Sequence, residues 1–164
     1  EKTLAGTQAL PVPEVIKIGT TLCSVLGYLH GQHPPIIFRD LKPSNIMWSQ
    51  TGQLYLIDFG IALSYSSVGQ RDPRPLGTPG YAAPEQYGKA QSTIQTDIYG
   101  LGATLLQLLT GKEPLDALHK WEEIPVPENL RILLRQMLAH DPGQRPRTVD
   151  EVKQQLLRLD HGIL

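Results

Sequence analysis

Between residues 60 and 95 the chain carries Gly60, Gly69, Pro73, Pro75, Gly77, Pro79, Gly80, Pro84 and Gly88, which leaves no room for a long regular element. A stretch that long without periodic structure is commonly a working loop when it lies inside a compact domain. It also divides the chain into unlike halves. Ahead of it, Val15, Ile18, Leu22, Val25, Leu26 and Leu29 recur at three- and four-residue steps, so a helix is expected from Val15 to about His30, approached through Pro13. Pro34 and Pro35 break it. Three short strands are expected next, Ile36 to Phe38, Ile46 to Trp48 and Leu54 to Ile57, with Thr51-Gly52 as the turn between the last two. Beyond the loop the pattern is helical: Thr96 to Thr110 closed by Gly111, Glu128 to His140 entered through Pro127, and Val149 to Leu159 behind a capping box at Thr148-Val149-Asp150-Glu151.

This order argues a mostly α, α+β fold in one domain. At 164 residues with 40% hydrophobic side chains, such a domain buries roughly 70% of the surface its unfolded chain would expose. Fifteen basic residues against sixteen acidic ones give a net charge of -1, so no bulk field draws in nucleic acid or an anionic membrane. The single cysteine, Cys23, forms no internal disulfide framework. No run of 18 apolar residues and no signal peptide is seen, so a cytoplasmic chain without a membrane segment is expected.

The chemistry lies in the loops. Phe38-Arg39-Asp40-Leu41-Lys42-Pro43-Ser44-Asn45 places one carboxylate, two cations and one amide between strand pieces, and Asp58-Phe59-Gly60 follows the strand that starts at Leu54. A carboxylate and an amide oxygen are hard ligands suited to Mg²⁺. A second carboxylate beside them can accept a proton from an attacking hydroxyl, and a nearby lysine offsets phosphoryl charge. Read singly, each of these residues is also an ordinary turn former; together they suit phosphoryl transfer. Of the other candidates, His30 and His33 lack a third ligand and read as helix-end packing, while Gly100-Leu101-Gly102 and Gly111-Lys112 fall short of nucleotide-binding patterns and read as helix packing and helix ending.

With Ala83-Pro84-Glu85 following in the same order, the chain resembles the serine/threonine protein kinase family over nearly its whole length, specifically that family's large C-terminal lobe with short strands around the catalytic loop. The resemblance implies ATP and Mg²⁺ as cosubstrate and metal, a protein carrying a serine or threonine as acceptor, and a part in signal transduction. It implies Asp40 as catalytic base, Lys42 as the phosphate-contacting lysine, Asn45 and Asp58 as Mg²⁺ ligands, and Arg39 as the grip on a phosphorylated loop. Thr78, in Gly77-Thr78-Pro79-Gly80-Tyr81, is implied to face the substrate and to bond near Asp40 and Lys42. Asp97 would brace the catalytic loop, and Glu85 would pair with Arg145. Candidate phosphorylation positions are Ser64, Tyr65, Ser66, Ser67 and Thr78.

Two departures stand out. Phe38 occupies a position that is usually histidine or tyrosine, which keeps aromatic packing against Phe59 but loses a polar handle. No Gly-rich phosphate loop is present, and Lys2 and Lys17 lack the strand context of an ATP-anchoring lysine. Residue 1 is therefore expected to fall just past the hinge, with the small lobe absent and the activity of this stretch alone weak or nil. Two alternatives stay open: a non-catalytic kinase-like docking module, and a small-molecule phosphotransferase of the same fold.

Overall fold

The computed structural model describes residues 2–6, 8–58, 63–64, 77–88, 90–160 and 162, with the backbone alone at Lys2, Leu63 and Ser64. Phe59, Gly60, Tyr65, Ser66 and Ser67 lie outside the described residues. The elements run β1 (Lys2–Thr3), α1 (Val12–His30), β2 (Ile36–Ile37), β3 (Ile46–Trp48), β4 (Leu54–Leu56), β5 (Leu63–Ser64), α2 (Pro84–Tyr87), α3 (Ile94–Thr110), α4 (Pro114–His119), α5 (Glu128–Met137) and α6 (Val149–Asp160). Single 3₁₀ turns occur at Pro43–Asn45, Trp121–Glu123 and Pro142–Gln144. The molecule is mostly helical with a few short antiparallel strands, as the sequence implies.

Helix α1 begins at Val12, three residues before its first periodic apolar side chain, because Pro13 sits inside its first turn, where the missing N–H costs nothing. Val15, Ile18, Leu22, Leu26 and Leu29 are buried along one face, which lies against α6 and α3. Nineteen residues long with a mean hydropathy of 1.2, α1 is long and apolar enough by composition to cross a membrane, which the sequence reading does not anticipate. Its buried face is spent on the core, and Lys17, Thr20 and Ser24 lie on the other side. Cys23 is part of that packing: burial pushes its thiol up to about 12, far from the range of a working nucleophile.

Helix α3 is the central column, with Ile98, Leu101, Leu105 and Leu108 at most 1% exposed. Fully burying side chains of this kind contributes about 1.5–3 kcal/mol each. Close approach to α3 is set by its glycines: a Cβ on Gly102 would stand 2.9 Å from Met137 Cβ of α5, and one on Gly100 would stand 3.3 Å from Leu41 Cβ.

Two small sheets bracket the loop from 38 to 45. β1, β3 and β4 form an antiparallel sheet in which Thr3 faces Met47 and Trp48 faces Leu54; Ser49 and Gln53 close its β3–β4 turn through Ser49 N–H to Gln53 O at 2.8 Å, with Gly52 at φ 79°. β2 and β5 pair with Ile37 opposite Leu63. The chain thus enters the loop from β2, leaves it along β3, and returns through β4 to place Asp58 at the same end of the molecule.

The structure corrects several boundaries. The stretch from 60 to 95 is not wholly irregular, since α2 and β5 fall within it, and α4 and β1 are not expected from the sequence at all. Helix α5 stops at Met137 rather than His140, because the carbonyls of Ala139 and His140 leave the helical path to accept from Arg145. At α6, Glu151 N–H donates to Thr148 Oγ1, but Glu151's carboxylate reaches the N–H of Arg147, one residue further back than a capping box requires.

Gly111 ends α3 in the left-handed region at φ 65°, and a Cβ there would meet Ala9 N at 2.8 Å. Gly111→Ala is expected to lower stability by about 1–2 kcal/mol or more, read as a reduced urea midpoint with an unchanged slope.

Candidate active site

The loop from Phe38 to Asn45 is held in an unfavourable backbone shape by side chains of α2 and α3, one of them braced in turn from α1. Arg39 has φ 72°, a conformation that costs a residue with a Cβ about 1–2 kcal/mol. Its N–H donates to Asp97 Oδ1 at 2.8 Å, the preceding Phe38 N–H donates to Asp97 Oδ2 at 2.9 Å, and its carbonyl accepts from Gln86 Nε2 at 2.8 Å. Asp97 lies in the first turn of α3, where the helix dipole favours an anion. His30, from the last turn of α1, completes the clamp through Nε2 to Asp97 Oδ2 at 2.7 Å. A carboxylate only accepts, so the imidazole is the donor. β2 ends at Ile37 for the same reason: the Phe38 N–H is committed to Asp97.

Asp40 follows Arg39 directly and is met by Thr78, Lys42 and Asn45. Asp40 Oδ1 accepts from Thr78 Oγ1 at 2.9 Å, and Thr78 Oγ1 accepts from Lys42 Nζ at 2.7 Å. Lys42 Nζ also stands 3.5 Å from Asp40 Oδ2. Asn45, buried in the 3₁₀ turn led by Pro43, donates Nδ2 to the Asp40 carbonyl at 2.8 Å and to Asp40 Oδ2 at 3.3 Å. The Asn45 carbonyl accepts from Ile57 N–H at 2.9 Å, and the exposed Asp58 is the next residue, two beyond the end of β4. Asp58, like Arg39, holds a positive φ, 64°. Thr78 follows Gly77, whose φ of 146° and missing Cβ, which would fall 2.5 Å from Ala82 Cβ, let the chain turn sharply there. A phosphate on Thr78 Oγ1 would break both of its bonds.

Arg39's side chain is 4% exposed and Phe38's is fully buried; Phe59, against which Phe38 is expected to stack, and the loop that Arg39 is expected to grip fall outside the described residues. Glu85 and Arg145 form a bidentate pair at 2.7 and 2.9 Å. Arg145 further donates to the carbonyls of Gln95, Ala139 and His140, and lies 5.0 Å over the Tyr99 ring. Thr96 Oγ1 accepts from Thr93 N–H and donates to Glu85 Oε1 at 3.0 Å, so α3 starts two residues earlier than expected and is tied to α2 at its first turn. Burial alone would raise the Glu85 carboxyl, but the hydrogen bonds and charge of Arg145, with Thr96 and a backbone N–H, outweigh it and hold the group below its ordinary value.

Two residues of this assembly have no functional role in the sequence reading. Gln86 caps α2 by accepting from Ala83 N–H and spends its amide on Arg39; its place three residues after Ala83 is the one local cue. His30 is expected only to pack at a helix end, and its partner lies 67 residues away, beyond any local pattern.

Residues 2–157 match the family described as Protein kinase domain. The chain belongs to the protein kinase family. It is 35% identical over 155 residues to a probable serine/threonine-protein kinase of Arabidopsis thaliana, covering 92% of this chain and 38% of that protein. It is 35% identical over 163 residues to serine/threonine-protein kinase F of Synechocystis sp., covering 93% and 32%. Against an EPD1-interacting receptor-like cytoplasmic serine/threonine-protein kinase of Nicotiana benthamiana the identity is 30% over 179 residues, covering 90% and 39%. The kinase chain thus spans about a third of the length of these relatives.

Asp97→Asn keeps the shape but removes the charge and turns an amide toward a donor. A loss of about 1.5–3 kcal/mol is expected from the charged hydrogen bond forfeited, measured by urea unfolding; wild-type stability would overturn the role of the clamp.

Glu85 has its folded-state pKa depressed, so the Arg145 pair stabilises fully above the ordinary glutamate value of about 4.5 and loses that contribution as pH falls through the lower folded value. Arg145→Ala, which strands a buried carboxylate, is expected to cost about 3–5 kcal/mol at neutral pH. Thermal melts across pH 3 to 7, roughly the span that brackets glutamate titration, should show a flatter acid limb in Glu85→Gln than in the wild type.

Proposed function

We propose that this chain is the large lobe of a serine/threonine protein kinase that transfers the γ-phosphate of ATP to a protein hydroxyl in the cytoplasm. The observation that carries this reading is the bonded set Lys42–Thr78–Asp40, with Asn45 fixed to the same aspartate. Asp40 and Lys42 side chains are 16% and 24% exposed, restrained yet open to an incoming substrate.

Thr78 occupies Asp40 Oδ1 and orients the carboxylate, while Oδ2, which takes only a long bond from Asn45 Nδ2 at 3.3 Å, retains a lone pair to accept the proton of a serine or threonine hydroxyl. As that proton moves to Asp40, the hydroxyl oxygen bonds to the γ-phosphorus, and the bond from that phosphorus to the bridging oxygen of ADP breaks. Lys42, beside Thr78 and Asp40, offsets the negative charge on the transferring group. The Asn45 donors are spent on Asp40, so its oxygen is the atom it offers to a cation, and the exposed Asp58 carboxylate follows from the adjoining strand. These hard oxygens fit Mg²⁺, and Asn45 and Asp58 are the residues that would hold it. When bound, Mg²⁺ supplies charge neutralisation on the nucleotide phosphates. The segment from Gly77 to Glu85 forms a bonded platform beside Asp40, which favours a protein acceptor over a small molecule.

The test is phosphate transfer from labelled ATP by the full-length protein, with the labelled residue identified in the product. Transfer to serine or threonine that requires Mg²⁺ is expected, and Asp40→Asn should lower kcat by about 10²- to 10⁴-fold while the melting temperature stays within a few degrees. The stretch from 1 to 164 alone should be far less active, for want of the lobe that closes over the nucleotide. Full activity of Asp40→Asn would remove the base role, and an intact protein with no transfer would favour the docking-module reading.

A further inference from the structure

Asp40 stands between two peptide planes, and each is held by a side-chain amide. The plane that follows it is fixed by Asn45, whose Nδ2 donates to the Asp40 carbonyl at 2.8 Å. The plane that precedes it is fixed by Gln86, whose Nε2 donates to the Arg39 carbonyl at 2.8 Å. Asp97 does not hold that plane: its oxygens accept from the N–H groups of Phe38 and Arg39, which lie in the two planes before it. Arg39, at φ 72°, is thus gripped by Asp97 on its N-terminal side and by Gln86 on its C-terminal side. The second grip leads straight into the carboxylate.

The Gln86 amide can sit only one way. Oε1 accepts from Ala83 N–H at 2.9 Å while Nε2 meets the Arg39 carbonyl; turned over, the amide would set N–H against N–H and oxygen against oxygen. Gln86 is 4% exposed, and room for its amide depends on Gly77, where a Cβ would stand 3.2 Å from Nε2. Thr78, the next residue, donates to Asp40 Oδ1 at 2.9 Å. One amide therefore lies between the backbone that enters Asp40 and the turn that bonds to its carboxylate.

We propose that Gln86 is a positioning residue for phosphoryl transfer: its amide fixes the Arg39–Asp40 peptide plane and so holds the Asp40 carboxylate in line with the acceptor hydroxyl. The inference rests on the kinase reading for what Asp40 does. Buried as it is, Gln86 meets neither the hydroxyl nor the nucleotide in that reading, so its loss acts on the rate of transfer and spares binding. A small error in aim is enough, since a misplacement of about 1 Å can cost about 10²-fold in rate.

The experiment uses the full-length protein with Mg²⁺, ATP and the serine peptide that the wild type labels best in a degenerate library. Gln86→Glu keeps the bond from Ala83, and with it the start of α2, but sets a carboxylate oxygen against the Arg39 carbonyl. At neutral pH it should lower kcat by about 10- to 100-fold, with KM for ATP and for peptide within about three-fold. In acid the same carboxyl gains an O–H that donates to Arg39, and burial beside a carbonyl favours that neutral form. The kcat ratio of Gln86→Glu to wild type should therefore climb as pH falls from about 8 to about 5, the titration of Asp40 dividing out because both proteins carry it. Gln86→Met, with no donor at any pH, should stay low throughout. Hydrogen exchange at residues 36–46 should quicken in both variants at neutral pH, with α6 as the unaffected control. Wild-type kcat in either variant, or a Gln86→Glu ratio flat with pH, would overturn the positioning role and leave the kinase reading intact. A full-length protein that transfers no phosphate would sink the kinase reading, and exchange at 36–46 would then decide alone whether Gln86 holds the loop, an unchanged rate overturning that hold as well.

Discussion

The shape of the loop from Phe38 to Asn45 depends on one buried carboxylate, that of Asp97. Asp97 accepts from two consecutive backbone N–H groups and from His30 while fully buried at the head of α3. Those two N–H groups belong to residues on either side of a backbone reversal, where Arg39 enters the left-handed region. Without an anion there, two buried donors would go unpaired at about 1–3 kcal/mol each, and the strained torsion would relax. The Gln86 amide fixes the other side of the same residue. Asp40 is aimed because Arg39 is clamped, and Arg39 is clamped by Asp97 of α3 and Gln86 of α2, with His30 of α1 holding Asp97 in place. Local strain of this kind persists only where its surroundings over-determine it.

A second anchor governs how α2 and α3 stand together. Glu85 and Arg145 are 60 residues apart and bury their charges against each other. Arg145 uses its remaining donors on three carbonyls, one of which lies in α3 while the other two follow α5. A buried ion pair alone is weak support for stability, since desolvation offsets most of the attraction. Its worth here is registry. One guanidinium sets the spacing of three helices, so the residues that clamp Arg39 arrive at consistent positions. α2, only four residues long, has little burial of its own and depends on this connection.

How much of this was legible in the sequence follows from the range of each interaction. Helices α1, α3 and α6 were readable because their apolar residues repeat at helical spacing against one core; their ends moved by a few residues where a side chain captured a backbone group, as Thr96 does at Thr93 and Arg145 does beyond α5. Helix α4 was not readable, because six residues led by proline with only Pro114 and Ala117 buried carry no period. The two-residue strand at Lys2 exists only through its partner at Trp48. The loop residues Asp40, Lys42 and Asn45 could be proposed as a set because they are adjacent in the chain. Asp97, Glu85 and Arg145 were reachable only through family resemblance, since nothing in their own neighbourhood points 60 residues away. His30 and Gln86 escaped even that: the loss of a polar group at Phe38 was visible, whereas the imidazole that meets Asp97 from α1 was not.

The turn from Gly77 to Ala82 ties the loop of Asp40 to α3 and to the start of α4 through one bonded piece of chain. Thr78's carbonyl accepts from the N–H groups of both Tyr81 and Ala82, so the turn that brings the Thr78 hydroxyl to Asp40 also sets where the Tyr81 phenol stands. From there Tyr81 reaches Gln107 on α3 and Glu113 before α4. Gly77 and Gly80 permit the turn by their torsions, φ 146° and 88°. Any movement of the turn would disturb the Thr78 and Tyr81 contacts together. The bond from Thr78 to Asp40 and the contacts of Tyr81 with α3 and Glu113 are therefore set by the same two backbone hydrogen bonds, so loosening the turn at the Thr78 carbonyl would weaken the hold on Asp40 and on the start of α4 at once.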